Sequence, residues 1–192
     1  MNLVNEHIEK ETATGIPTPK VLLWIAIVSM IMLFAGLTSA YIVREADGNW
    51  VKFELPFAFY ISTGVMLISS ATLYMGMQAV RADKLQSLTY FLIATLGLGL
   101  TFCFTQFMGW SELVRTGIFF TGNPSGSFLY VITGLHLAHL AGGILYLMAV
   151  TVKSIKGSYN SKNLLQVQLL STYWHFLDGL WIYLFVFLLL IR

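Results

Sequence analysis

Four ionisable side chains fall in two pairs inside runs of apolar sequence, and each pair has a spacing that puts both members on one helical face. His136 and His139 are three residues apart. So are His175 and Asp178, within Tyr173-Trp174-His175-Phe176-Leu177-Asp178-Gly179-Leu180-Trp181. Paired imidazoles can ligate a haem or a metal. An imidazole near a carboxyl can pass a proton, or the two can clasp one helix to another. Chargeable groups in hydrocarbon cost about 2.5–3.5 kcal/mol each on insertion scales, so they are rare and usually face the protein interior. The chemistry of this chain therefore turns on how these groups are satisfied.

The elements that must position them are membrane spans. A membrane helix needs about 20 mostly apolar residues. Five stretches qualify: residues 21–43, 55–80, 85–108, 128–152 and 164–191. Pro56 falls in the first turn of the second, where a missing N–H costs little. The pattern predicts an all-α polytopic membrane protein, a bundle of five transmembrane helices over residues 20–192. Residues 1–19, with Glu6, Glu9, Lys10 and Glu11, read as a cytoplasmic tail ended by Pro17-Thr18-Pro19. They lack the basic start and short apolar core of a secretory signal peptide. The connections, at residues 44–54, 81–84, 109–127 and 153–163, leave no room for a folded soluble domain. No internal repeat points to an inverted-repeat transporter.

Composition narrows the function. The 192 residues are 57% hydrophobic and only 10% charged, against about 25% charged in a soluble domain. That excludes a solvated globule. The net charge of +2 is too small for a nucleic-acid footprint. Cys103 is the single cysteine, so this chain alone builds no internal disulfide, two-cysteine copper centre, thiolate zinc site or iron–sulfur cluster. Gly97-Leu98-Gly99 lies inside a span and is no dinucleotide fingerprint.

Lys and Arg set orientation. With the N-terminus inside, that side holds Lys10, Lys20, Arg81, Lys84, Lys153, Lys156 and Lys162, against Arg44, Lys52, Arg115 and Arg192 outside. The excess predicts N-inside and C-outside. Small residues mark where helices can touch: Ala35-Gly36 and Ser39-Ala40, Ser69-Ser70-Ala71, Gly97 and Gly99, and Gly142-Gly143.

Depth argues against haem ligation. At about 1.5 Å per residue, His136 lies about 24 Å from the inner end of its span and His175 about 15 Å from the inner end of the last. His139 is closer in level to His175 and Asp178. With three membrane histidines, a bis-histidine di-haem site lacks ligands, and hydrogen-bonded structural histidines are the favoured reading. For His175 and Asp178, an ionised pair and a neutral hydrogen-bonded pair both remain open. A polar clasp between helices is favoured over a proton relay. Trp174 and Trp181 flank the pair and offer indole N–H donors.

The segment from Tyr173 to Asp178, with Trp181, resembles the last-helix signature of subunit III of haem–copper oxidases. The resemblance runs along residues 20–192 in the same order. It takes in Met32-Leu33-Phe34-Ala35-Gly36-Leu37 with Ala40-Tyr41, then Leu55-Pro56 and Ser69-Ser70-Ala71-Thr72. Gln106 with Trp110 follows, and then Gly126, Phe128 and Thr133-Gly134-Leu135-His136-Leu137-Ala138-His139 with Gly142-Gly143. Many members have seven helices; this chain resembles the last five, as in the short bacterial forms. Two family carboxylates are replaced. Ser29-Met30 stands where the family often has Ser-Glu, and Gln168 where it often has Glu. Roles given to those acids do not carry over, which weakens the relay reading.

The resemblance implies a cofactor-free, non-catalytic subunit of a proton-pumping cytochrome c oxidase in the bacterial plasma membrane. Haems and copper would sit in partner subunits, and bound phospholipid is expected. Implied partners are subunit I directly, subunit II and other oxidase subunits, with a quinol–cytochrome c reductase supercomplex as a further one. His136, His139, His175 and Asp178 would then be structural polar groups. Gly36, Ser69, Ser70, Gly142 and Gly143 would serve helix packing, and Tyr173, Trp174, Phe176 and Trp181 would be family signature residues. Rival readings are subunit III of a quinol oxidase and a relative associated with nitric oxide reductase. Of other classes, a free-standing membrane haem protein and a small transporter remain.

Overall fold

The computed structural model describes residues 17–81, 84–157 and 164–191. Most of the polar tail, Lys10, Lys162, Arg192 and the centres of two connections lie outside the described residues. Five helices account for the described fold: α1 Thr18–Ala46, α2 Phe57–Arg81, α3 Leu85–Arg115, α4 Pro124–Ile155 and α5 Leu165–Leu190. All five are long and apolar enough to cross a membrane.

The helices coincide with the five apolar stretches but are longer where polar residues continue them. α3 runs on to Arg115, through what composition alone assigns to a connection beginning at 109. Gly109 does not break it, because the Phe59 ring takes the space beside its Cα, 2.8 Å from where a Cβ would lie. α4 begins at Pro124 rather than near 128. The Asn123 side chain caps it by accepting from the Ser125 backbone N–H, and Pro124 fits a first-turn position where its missing N–H leaves no bond unmade. Apolar counting misses both extensions because the added turns carry Ser, Glu, Arg and Pro. At 31 and 32 residues, α3 and α4 span about 45–48 Å and outreach a hydrocarbon core of about 30 Å.

Cross-helix contacts give the register. Thr72 meets Thr95 and Ser62 meets Gln106 between α2 and α3. Thr89 meets Ser154 and Trp110 meets Thr133 between α3 and α4. Ser69 meets Trp174 and Thr63 meets Trp181 between α2 and α5. In each case one number rises as the other falls, so these pairs are antiparallel. α1 and α5 run parallel, with Thr38 on Tyr183 and Tyr41 against Phe187. Helices α2, α3, α4 and α5 close into a ring around Trp174, Trp181, Phe59 and Phe102, all fully buried. α1 packs only on α4 and α5. It buries one narrow stripe, Ile27, Met30, Phe34, Thr38 and Tyr41, and leaves the rest of its surface to the bilayer or a neighbour.

This up-and-down order sorts the charges. Among the described residues, one end of the bundle carries Lys20, Lys84, Lys153 and Lys156 and no acid. The other carries Arg44, Lys52 and Arg115 with Glu45, Asp47, Glu54 and Glu112.

Candidate functional site: the polar clasp of the last helix

Four side chains of the Tyr173–Trp181 segment are engaged on other helices. The Tyr173 hydroxyl donates to the His139 carbonyl of α4 at 3.0 Å. The Trp174 indole N–H donates to Ser69 Oγ at 3.1 Å, and the Trp181 indole N–H to Thr63 Oγ1 at 3.0 Å, both on α2. His175 Nδ1 and Ser70 Oγ share a hydrogen bond of 2.6 Å. Phe176 is half-buried against the core. The spacing of donors on α5 and of hydroxyls on α2 matches because both helices advance alike per residue and run antiparallel. Each bond meets a polar group that hydrocarbon cannot satisfy.

Two glycines make room for aromatic rings of α5. A Cβ on Gly99 would lie 2.9 Å from the Trp174 ring, and one on Gly143 would lie 3.1 Å from the Tyr173 ring. Gly99 leaves room for the Trp174 ring reaching across the centre of the bundle, and Gly143 for the Tyr173 ring where α4 packs on α5. Gly36 and Gly142 differ: both are exposed, and a Cβ at either would meet nothing within 4 Å. Neither makes a close helix contact among the described residues.

His136 and Asp178 occupy another kind of environment. His136 is fully buried among Phe34, Phe102 and Trp181, with the Trp181 ring centroid 5.1 Å from its own. Neither of its ring nitrogens has a hydrogen-bond partner among the described residues. Asp178 is 3% exposed and both its carboxyl oxygens also lack a partner. Ser70 lies toward this carboxyl, yet its hydroxyl is engaged by His175. His175 and Asp178 therefore share one helical face, as the spacing predicts, but form no hydrogen bond or ion pair with each other. Gln106 is buried too. Its amide N–H donates to Ser62 Oγ at 2.9 Å, while its Oε1 is unpartnered.

His139 is half-buried, with its ring edge-on to Phe34 at 5.8 Å. Its Nδ1–H donates to the Leu135 carbonyl at 2.7 Å. Among the described residues, no three His, Cys, Asp or Glu side chains converge as metal ligands would. The hydroxyls of Thr63, Thr133 and Thr38 are partners that sequence reasoning misses. Thr63 and Ser69, six residues apart on α2, meet Trp181 and Trp174, seven apart on α5, so no shared interval in the sequence pairs them.

The order of these residues matches a known family over nearly the whole chain. The family model described as cytochrome c oxidase subunit III matches residues 20–191. A probable cytochrome c oxidase subunit 3 of Nocardia farcinica is 29% identical over 177 residues, covering 89% of this chain and 86% of that protein. A probable quinol oxidase subunit 3 of Staphylococcus saprophyticus is 27% identical over 168 residues, covering 84% and 83%. A cytochrome c oxidase subunit 3 of Bacillus sp. is 26% identical over 167 residues, covering 84% and 80%. With five membrane-length helices and a family match from end to end of the bundle, the chain belongs to the cytochrome c oxidase subunit III family.

Proposed function

We propose that this chain is a non-catalytic subunit III of a proton-pumping haem–copper oxidase in the bacterial plasma membrane, holding the catalytic subunit I in its working form and binding phospholipid at its surface. In this reading cytochrome c is the electron donor, and the haems and copper reside in subunits I and II. A quinol oxidase is the second reading, favoured by the similarity to a quinol oxidase subunit 3. The orientation is N-inside and C-outside, supported by Lys20, Lys84, Lys153 and Lys156 at one end of the bundle.

One observation carries the scaffold role. Tyr173, Trp174, His175 and Trp181, which bear the family resemblance, spend their polar atoms on α2 and α4. Side chains engaged in this way hold a bundle in shape and present its outer surface to a neighbour. The test is mild-detergent purification through a tag on this chain, with a reduced-minus-oxidised optical spectrum and identification of the chains recovered. Recovery of a haem–copper subunit with oxygen-reducing activity is expected, and its substrate preference separates cytochrome c from quinol. A colourless chain recovered alone would overturn the proposal.

A further inference from the structure

Where α2 begins and α3 ends, the two helices leave a groove of about 620 Å³ between them. Phe57 and Ile61 of α2 and Phe104 and Met108 of α3 form its apolar walls, with buried Ala58 at the floor. Ser111, Glu112 and Arg115 continue it toward the aqueous end. Phe104, Met108, Ser111 and Arg115 fall on one face of α3, so polarity rises along a single stripe. The eleven-residue step from Phe104 to Arg115 covers about 16 Å. That is close to the depth of one leaflet of a hydrocarbon core about 30 Å thick.

Beyond the exposed Phe57 ring lies a wider cavity of about 740 Å³. It shares Phe57 and Glu112 with the groove, and Lys52 and Glu54 also line it. The two spaces together present two cations, Lys52 and Arg115, and two carboxylates, Glu54 and Glu112. All four side chains are exposed, and none forms an ion pair with a described residue. Glu112 and Arg115 stand unpaired although they are one helical turn apart.

The apolar walls call for hydrocarbon, and the balanced charges decide the headgroup. A purely anionic headgroup would lie beside two carboxylates with nothing to offer them. A zwitterion meets both signs. A primary ammonium donates charge-assisted N–H bonds to a carboxylate, and a trimethylammonium has no N–H to give.

We infer that this groove seats one phospholipid bearing a primary amine, of the phosphatidylethanolamine kind, with its phosphate on Arg115, its ammonium turned to Glu112 and Glu54, and an acyl chain lying between α2 and α3. The inference rests on the phospholipid binding proposed above and gives it a place and a headgroup.

The test uses the complex purified through this chain and returned to vesicles of equal parts phosphatidylethanolamine, phosphatidylglycerol and phosphatidylcholine. Three trace photo-reactive lipids carry the same diazirine-bearing acyl chain and differ only in headgroup: ethanolamine, glycerol or choline. Peptide mapping of the adducts reads the segment from Phe104 to Met108. The ethanolamine probe is expected to label it about two- to fivefold more than the other two, the weight of one exposed ion pair. Arg115→Gln should lower that labelling by a like factor. Glu112→Gln should bring the ethanolamine probe down to the level of the glycerol probe. Ser111→Trp, at an exposed position, should plug the groove and reduce labelling by all three. Lys156→Gln, at the opposite end of the bundle, should change nothing. Equal labelling by the three probes, or labelling that Ser111→Trp leaves intact, would overturn the inference. The haem spectrum of the same samples scores the subunit reading separately. Equal labelling with haem present would overturn the lipid seat alone, and selective labelling without haem would support the seat while overturning the subunit reading.

Discussion

Ser70 Oγ and His175 Nδ1 meet at 2.6 Å across the contact between α2 and α5. They join residues 105 positions apart by the shortest of the four bonds that the last-helix signature makes to other helices. An interhelical hydrogen bond in a membrane is worth about 0.6–1.7 kcal/mol. Ser70→Ala and His175→Leu are expected to destabilise the subunit singly by that order. The double variant should cost less than the sum of the two, by about 0.6–1.7 kcal/mol. Thermal unfolding of the detergent-solubilised chain in a double-mutant cycle checks this, and strict additivity would show the bond to be idle.

The two classes of glycine should behave oppositely. Gly99→Ala drives a methyl to 2.9 Å from the buried Trp174 ring, and overpacking of this kind costs about 1–3 kcal/mol. Gly142→Ala meets nothing and should leave the isolated chain as resistant to proteolysis as the wild type. Comparing the proteolysis rates of the two variants decides the matter; equal effects would contradict the packing described.

Asp178 is buried, and neither carboxyl oxygen has a hydrogen-bond partner among the described residues, which calls for a partner outside this chain or a functional role. Asp178→Ala is expected to loosen assembly, seen as less haem-bearing partner recovered, while oxygen turnover per haem in the surviving complex stays unchanged. Normal assembly with proton pumping selectively lost would sink this expectation and return the carboxyl to a proton-transfer role.

Asn123 ties the α1–α2 connection to the start of α4. Its Oδ1 accepts from the Ser125 backbone N–H at 3.0 Å and from the Val51 backbone N–H at 3.4 Å, and its Nδ2 donates to the Asn49 carbonyl at 3.1 Å. Asn123→Ala removes an N-cap, worth about 1 kcal/mol, and frees the connection between α1 and α2. Hydrogen exchange should quicken at both Val51 and Ser125. Acceleration at Ser125 alone would reduce Asn123 to a local cap.

The amino-acid sequence by itself determined the solvent and the number of spans. Long apolar runs can be satisfied in hydrocarbon only as helices, so five such runs with short connections allow little other than a five-helix bundle. It also determined which polar residues share a face, because the helical repeat is local: His136 with His139, and His175 with Asp178. Partners on other helices depend on rotation and register between elements far apart in the chain, which no local pattern encodes. Tertiary structure alone set Ser70 rather than Asp178 against His175, closed His136 off among three aromatic rings and left His139 half-buried, edge-on to Phe34. It also separated Gly99 and Gly143, which admit the rings of α5, from Gly36 and Gly142, which face outward. In composition all four are the same small residue; only the packing of the ring of helices decides which has a neighbour.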